Sequence, residues 1–294
     1  MGKSASLIVT VKNEQNAIVK LLESIASQTR IPDEIIITDA GSTDKTKEKI
    51  KSFKKKLPQI KLISVPGKNR SIGRNTAISK SKSNIIAVTD SGCIPKPDWF
   101  EKIIHPIETK EAKSVAGYYL TECNSATECA SAPFVAVMPD KIHPDYYLPS
   151  SRSVAFTKKA WKAAGKYPEN VDFCEDLLFA KSLKEKTEMV VHPTAIVYWL
   201  HYKSISRFFK QIRNYSSGDI EARYWPHIFK IITVYLRYII FFFIHPLFFL
   251  YLIWPIYKHH KYVRYPAGII LLPVFQVLTD LGIIVGSIKG TISK

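Results

Sequence analysis

The sequence predicts an α/β fold built on a mostly parallel sheet, and three observations carry the prediction. Short runs rich in Ile and Val (Ser6–Lys12, Glu34–Asp39, Ile60–Val65, and Ile85 onward) read as strands, and the apolar run Ile85–Val88 reads as a buried one. Segments of helical periodicity lie between them, so the order is β-α-β-α, which argues parallel strands joined by right-handed crossovers. Two of the runs end in an acid and a glycine-containing turn: Thr38-Asp39-Ala40-Gly41 and Thr89-Asp90-Ser91-Gly92. Ligands of open α/β sheets bind beyond the carboxyl ends of strands, so both acids are expected at one ligand-facing edge. Either acid alone is equally consistent with the start of a turn.

The elements follow in order. Asn16 is placed to cap a helix over Ala17–Ser27, whose Ile18, Leu21, Leu22 and Ile25 share one face. Pro32-Asp33 leads into the second strand, and Thr43 or Asp44 can cap a helix over Lys45–Phe53. After the third strand, Pro66-Gly67-Lys68-Asn69-Arg70-Ser71-Ile72-Gly73-Arg74-Asn75 opens a helix running through Ser79. Its backbone N–H groups and Arg74 are suited to a phosphate. Strands are expected at Ser114–Leu120 and Val154–Thr157, a short helix at Lys158–Gly165, and strand-like segments on either side of Pro193. Thr121–Ser151, with Pro133, Pro139, Pro144 and Pro149, reads as an excursion that binds an acceptor. Glu175-Asp176 heads an apolar-periodic helix, where acids also complement the helix dipole.

Composition narrows the function. The chain has 294 residues, 42 Lys+Arg against 25 Asp+Glu, and a formal net charge of +17. Nucleic acid, an anionic membrane surface and a phosphorylated substrate all suit such a balance. No zinc-finger spacing or ribonucleoprotein aromatic motif is present, so nucleic acid is not expected as a partner. Cys93, Cys123, Cys129 and Cys174 form no CxxC pair and no apolar run opens the chain, consistent with free thiols and a cytoplasmic catalytic domain. Two apolar stretches, Ile231–Tyr257 and Pro266–Ile288, are each long enough to cross a bilayer, which takes roughly 20 residues. The basic loop Lys258–Arg264 between them would then lie outside, against the positive-inside tendency, unless the segments lie in the interface or re-enter, or the charge of the large N-terminal domain sets the orientation. Before them, Ser204–Ala222 reads as a basic amphipathic helix suited to an interface. The expected division is a catalytic domain over 1–222 and a membrane-associated region over 223–294.

Taken together, the motifs resemble the family 2 glycosyltransferases of GT-A fold. The likeness rests on Val11-Lys12-Asn13-Glu14, Thr38-Asp39-Ala40-Gly41-Ser42-Thr43-Asp44, Gly73-Arg74-Asn75 leading to Val88-Thr89-Asp90-Ser91-Gly92-Cys93, and Glu175-Asp176. A fifth stretch runs from Val197-Tyr198-Trp199 to Ser217-Gly218-Asp219. The resemblance implies a nucleoside-diphosphate sugar of uridine or guanosine type as donor. Val11, Glu14 and Asp39 would line the nucleoside pocket, and Arg74 would lie at the diphosphate. Asp90 matches the first acid of the family's Asp-X-Asp motif, which holds a Mg²⁺ or Mn²⁺ ion on the diphosphate; the second acid is replaced here by Gly92. His201 is a further candidate metal ligand. Asp176 would be the general base, oriented by Glu175, in an inverting transfer. Gln211 and Arg213 loosely echo the Gln-X-X-Arg-Trp motif of processive synthases and are assigned to the acceptor side; the motif is incomplete and polymer synthesis is not implied. The expected setting is the cytoplasmic face of the cell membrane, with a lipid-linked or glycan acceptor in surface-polysaccharide synthesis. The alternatives are a polyprenyl-phosphate sugar synthase and a catalytically silent nucleotide-sugar-binding membrane protein.

Overall fold

The computed structural model describes residues 3–200 and 204–292. Eight strands are formed: β1 Ala5–Val11, β2 Glu34–Asp39, β3 Ile60–Ser64, β4 Ile85–Val88, β5 Cys93–Pro95, β6 Ser114–Thr121, β7 Val154–Thr157 and β8 Met189–Trp199. The helices are α1 Ala17–Ala26, α2 Thr46–Phe53, α3 Arg70–Lys80, α4 Trp99–Glu108, α5 Ala126–Ser131, α6 Lys158–Ala163, α7 Glu175–Lys186, α8 Ile205–Glu221, α9 Trp225–Phe243, α10 His245–His259 and α11 Pro266–Ile292. Internal packing divides the chain into two compact units, Met1–Leu120 with Ile142–Leu200, and Thr121–Lys141 with His201–Lys294.

The first unit holds one sheet in the order β3-β2-β1-β4-β7-β6-β8-β5. Strands β3, β2, β1 and β4 are parallel neighbours, whereas β7 is antiparallel to both β4 and β6, and β5 to β8. The parallel character expected from the sequence thus holds for one half of a mixed sheet. Every residue of β2 and β4 is buried, as the unbroken apolar runs require of strands covered on both faces. One core gathers Ile8, Ile36, Ile86 and Val88 against Phe156, Trp161 and Phe179. Alternate residues such as Leu7 and Ile35 are equally buried, on the opposite side of the sheet.

Local corrections have local causes. Asn16 stands at the N-cap of α1 without a side-chain bond, because its backbone is already helical and a capping side chain needs an extended one. Lys45 stands at the N-cap of α2 without a side-chain bond, and Asp44 before it accepts from Thr46 N, at the first helical position, at 3.0 Å. Pro193 does not divide a strand in two: β8 runs through it. On its β5 side the pairing begins only at Val197, beyond Pro193.

In the second unit, α11 is the element against which α5, α8, α9 and α10 pack. Phe208, Ile212, Leu272 and Phe275 form its core, with the Phe208 and Phe275 rings edge to face at 4.8 Å. The helix that the sequence reading set at the end of the catalytic domain, α8, packs with the apolar helices in this unit. The first apolar stretch is two helices rather than one. Pro246 removes a backbone donor and clashes with the carbonyl four residues back, and His245 before it is biased away from helix; the chain breaks at Ile244 (φ −128°, ψ 74°). By length and composition alone, α9 and α11 could each cross a membrane. Arg237 of α9 donates to both Asp280 oxygens of α11 at 3.2 Å, and Tyr251 of α10 donates to the same carboxylate at 2.5 Å.

Candidate active site

The parallel register sets the two acid-terminated strands, β2 and β4, on either side of β1. Val11 pairs with Asp39, and Ile8 pairs with Val88, so the ends of β2, β1 and β4 lie adjacent. The turns beyond them are laced together. Asn13, in the left-handed region at φ 56°, accepts from Thr43 N at 2.9 Å, while its own N–H donates to Ser42 Oγ. Glu14 N donates to Thr46 Oγ1 at 2.8 Å. Val11 is buried and Glu14 half-buried within this double turn.

Asp39 and Asp90 have different surroundings. Asp39 is fully enclosed, and its oxygens accept from Gly41 N at 3.1 Å and Ser42 N at 3.0 and 3.2 Å. Its carboxylate therefore shapes the turn after β2. The Asp90 side chain is 27% exposed and its Oδ1 accepts from Arg74 Nη2 at 2.9 Å. The other guanidinium nitrogen, Nη1, donates to Glu175 Oε1 at 2.9 Å. Arg74 is enclosed, with its guanidinium 5.2 Å from the Tyr167 ring centre. It therefore bridges two carboxylates instead of pointing outward to a phosphate. Burial by itself would disfavour the charged guanidinium, but Asp90 and Glu175 raise its pKa overall. Burial likewise works against the Asp90 carboxylate, and the Arg74 and Arg152 charges outweigh it and hold the group below its ordinary range.

Gly73 and Asn75 make this placement of Arg74 possible. A Cβ at Gly73 would come within 3.0 Å of Thr38 Oγ1 and 3.1 Å of Thr10 Cγ2, so α3 lies directly on β1 and β2. Asn75 Nδ2 donates to Tyr167 O and Glu169 Oε1, and its Oδ1 accepts from Trp161 Nε1. The segment leading to α7 is thereby fixed on α3. Cys174, the residue before Glu175, is held at φ 70°, a conformation that costs a non-glycine residue about 1–3 kcal/mol. Glu175 is buried, but Asp176 is half-buried, and its Oδ2 accepts from Ser150 Oγ at 3.0 Å. The two neighbouring acids are thus distinct: one is engaged by Arg74, and the other is held by a hydroxyl.

Arg152 has no motif of its own in the sequence. It reaches the site through the antiparallel pairing of β7 with β4: Val154 lies opposite Val88, and Thr89 Oγ1 donates to Arg152 O at 2.8 Å. The register therefore carries Arg152 toward Asp90. Its guanidinium lies 4.0 Å from the Trp199 ring centre and 4.9 Å from that of Tyr119, and Nη1 donates to Ser150 Oγ at 2.9 Å. Ser150 thereby connects Arg152 to Asp176. Burial pushes the nearby Cys93 thiol up to about 12, with the Asp90 charge adding to it, so no thiolate is available there at neutral pH.

Among the described residues, no group of three or more His, Cys, Asp or Glu is placed to hold a metal. Asp90 offers a single carboxylate, and a Cβ at Gly92 would meet nothing within 4 Å. That donor set suits a hard cation taking most of its ligands from phosphate oxygens and water, not one caged by protein. His201 lies outside the described residues. Gln211 and Arg213 are on α8 in the second unit, where Gln211 Nε2 donates to Tyr215 OH at 2.6 Å and Arg213 Nη2 to Asn214 Oδ1 at 3.3 Å.

A half-parallel sheet with acids at the ends of β2 and β4, on either side of β1, and a further acid pair at the head of α7, is the arrangement of the GT-A class of α/β proteins. Residues 6–147 match the Glycosyl transferase family 2 domain, and the chain carries a domain of that family. It is 31% identical over 115 residues to the glycosyltransferase AglE of Haloferax volcanii, covering 38% of each chain. It is 29% identical over 120 residues to the glycosyltransferase GlyG of Streptococcus pneumoniae, covering 40% of each. These matches therefore span about two fifths of the curated relatives' length. Among solved structures, the mannosyltransferase PcManGT of Pyrobaculum calidifontis, in complex with GDP-Man and Mn²⁺, aligns with all of this chain and 88% of its own at a TM-score of 0.65 and 16% identity. TarS of S. aureus in complex with UDP-GlcNAc aligns with 99% of this chain and 92% of its own at a TM-score of 0.55 and 15% identity. At such identities the likeness is one of fold.

Proposed function

We propose that this chain is an inverting glycosyltransferase. It moves a sugar from a uridine- or guanosine-diphosphate sugar to a lipid-linked or glycan acceptor at the cytoplasmic face of the cell membrane, in the assembly of a surface glycan. One observation carries the reading: Arg74 ties the strand-end acid Asp90 to Glu175, while Asp176 beside it stays half-exposed on Ser150. Val11, Glu14 and the turn shaped by Asp39 receive the nucleoside. The diphosphate lies toward Asp90, whose carboxylate would hold Mg²⁺ or Mn²⁺. Such an ion supplies charge neutralisation on the departing diphosphate. The described neighbours bound to GDP-Man with Mn²⁺ and to UDP-GlcNAc are consistent with this donor class.

Asp176 takes the proton of the acceptor hydroxyl as that oxygen attacks the anomeric carbon opposite the leaving group. Glu175, engaged by Arg74, fixes the first turn of α7 and thereby the direction of Asp176. Arg152, stacked on Trp199, supplies the cation nearest the growing charge on the leaving diphosphate, a role that enclosed Arg74 does not fill.

A screen of nucleotide sugars for diphosphate release, with native lipid extract as acceptor and with or without chelator, tests the reading. One uridine- or guanosine-diphosphate sugar is expected to turn over, dependent on the extract and lost with chelator. Asp176→Asn is expected to lower that rate about 10²–10⁴-fold while donor binding persists. Donor binding without release under any pairing would instead indicate a silent binding protein. Unchanged turnover in Asp176→Asn would indicate an acceptor that is already ionised, such as a polyprenyl phosphate.

A further inference from the structure

The second unit indicates how the chain meets the membrane. Helix α11 is long enough to cross a bilayer, but its neighbours are of the wrong kind. A Cβ at Gly286 would fall 2.2 Å from Arg213 O, one at Gly290 2.6 Å from Ser217 O, and one at Gly268 3.0 Å from Ala126 O. Close backbone contact with α5 and α8 thus extends from Gly268 to Gly290, about 33 Å of helix at 1.5 Å per residue. That exceeds the roughly 30 Å of bilayer hydrocarbon. If α11 crossed, it would carry in with it Arg213 of α8, whose backbone meets Gly286, and an arginine costs about 2.5–3.5 kcal/mol at the centre of a crossing helix.

Helices α9 and α10 differ. Both ends of the pair are tied to polar structure: His227 Nδ1 lies 2.9 Å from Asp219 Oδ1 at the start of α9, and beyond α10 Lys261 Nζ donates to Asp140 at 2.6 Å. The break between them exposes a cluster of large apolar side chains, with Phe242 73%, Phe243 74%, Phe249 67% and Leu250 63% exposed. The 15 residues of α10 reach only about 22 Å, too short to cross. Trp225, Trp254 and Tyr257 are exposed away from the break, as side chains at a membrane–water interface are. The stretch that follows α10 carries Lys258, Lys261 and Arg264, a charge suited to anionic headgroups.

We infer that α9 and α10 form a re-entrant wedge whose tip, Phe242–Leu250, enters one leaflet of an anionic bilayer, so that the chain attaches without crossing. The inference rests on the membrane setting proposed above. It places Lys258–Arg264 on the side from which the wedge enters, which removes the conflict with the positive-inside tendency.

The test uses the full chain made by cell-free synthesis beside sealed phosphatidylcholine vesicles, with or without phosphatidylglycerol. Flotation with anionic vesicles is expected, and Phe242→Asp/Phe249→Asp should lower the bound fraction about tenfold or more. Single cysteines at His260→Cys and Thr291→Cys should both react with an impermeant maleimide added outside, beyond the parent's labelling. Protection of either one until detergent is added would mean a crossing and overturn the proposal. So would flotation of the double variant at the parent's level, or a chain that fails to float and is a stable dimer in light scattering. Nucleotide-sugar thermal shifts on the same preparations check that the variants fold. Diphosphate release is read separately, so a failed glycosyl-transfer reading would leave the attachment result standing.

Discussion

The carboxyl ends of β2 and β4 are written alike, each an apolar run closed by Thr-Asp and a glycine-containing turn, yet the structure uses them differently. At the end of β2, Asp39 is fully enclosed and satisfied by the N–H groups of its own turn. At the end of β4, Asp90 is partly exposed and paired with a cation from another helix, with a second cation brought toward it by β7. A strand-terminal acid next to its own turn donors is a structural cap. The same acid becomes a candidate site residue where charges distant in sequence converge on it.

That contrast can be broken or sharpened by four substitutions. The largest effect is expected at the β4 end. Arg74→Ala leaves Asp90 and enclosed Glu175 facing each other without their common cation, and should lower unfolding free energy by about 3–5 kcal/mol in urea titration. Lysine should recover only part, since a point charge does not reproduce the two-armed bridge. The pH dependence fixes the sign. Arg74 keeps the folded-state pKa of Asp90 below its unfolded value. The resulting stability is fully present above that unfolded value, about 3.9, and is lost as pH falls through the lower folded one. Arg74→Ala should flatten this acid limb, as measured by thermal midpoint against pH.

If Arg152 has the role proposed for it, Arg152→Ala is expected to lower kcat for diphosphate release about 10²-fold with little loss of thermal midpoint, by removing a cation that stabilises the charge of the leaving group. A change in donor KM alone would assign it to docking. Asp39→Asn turns one acceptor oxygen toward donors as an amide NH₂. It should cost about 1–3 kcal/mol of stability and raise donor KM more than it lowers kcat. The smallest effect is expected at Gly92. Its surroundings leave room for a side chain, so Gly92→Asp should fold normally and lower the cation concentration for half-maximal release about threefold, by adding a carboxylate ligand.

The first half of the sheet was legible because its information is local. Strands β1 to β3 read as short runs rich in Ile and Val, α1 as a 3.6-residue stripe, and Asp44 as an acceptor two residues before the helix it serves. The candidate acids were legible for the same reason, each standing at the end of a recognisable element. Arg152 was not, because nothing around it in the chain marks it; only the antiparallel register of β7 against β4 brings it toward Asp90. Arg74 was legible as a residue and misdirected as a contact, since burial between two acids depends on how closely Gly73 lets α3 approach the sheet. The break at His245-Pro246 carried a local signal that the surrounding run of aromatic residues masked.

The sequence by itself therefore determined the α/β order, the acids at the strand ends, the acid pair heading α7 and the apolar character of the C-terminal helices. These follow from periodicity, turn chemistry and composition, which act over a few residues. Only the tertiary structure decided that Asp39 closes a turn while Asp90 is paired with Arg74 within the field of Arg152, that Glu175 is engaged while Asp176 is held half-open, and that α11 packs on α5 and α8 as well as on the apolar helices. Those outcomes depend on which distant segments share a sheet register or a close helix contact, and no short stretch of chain contains that information.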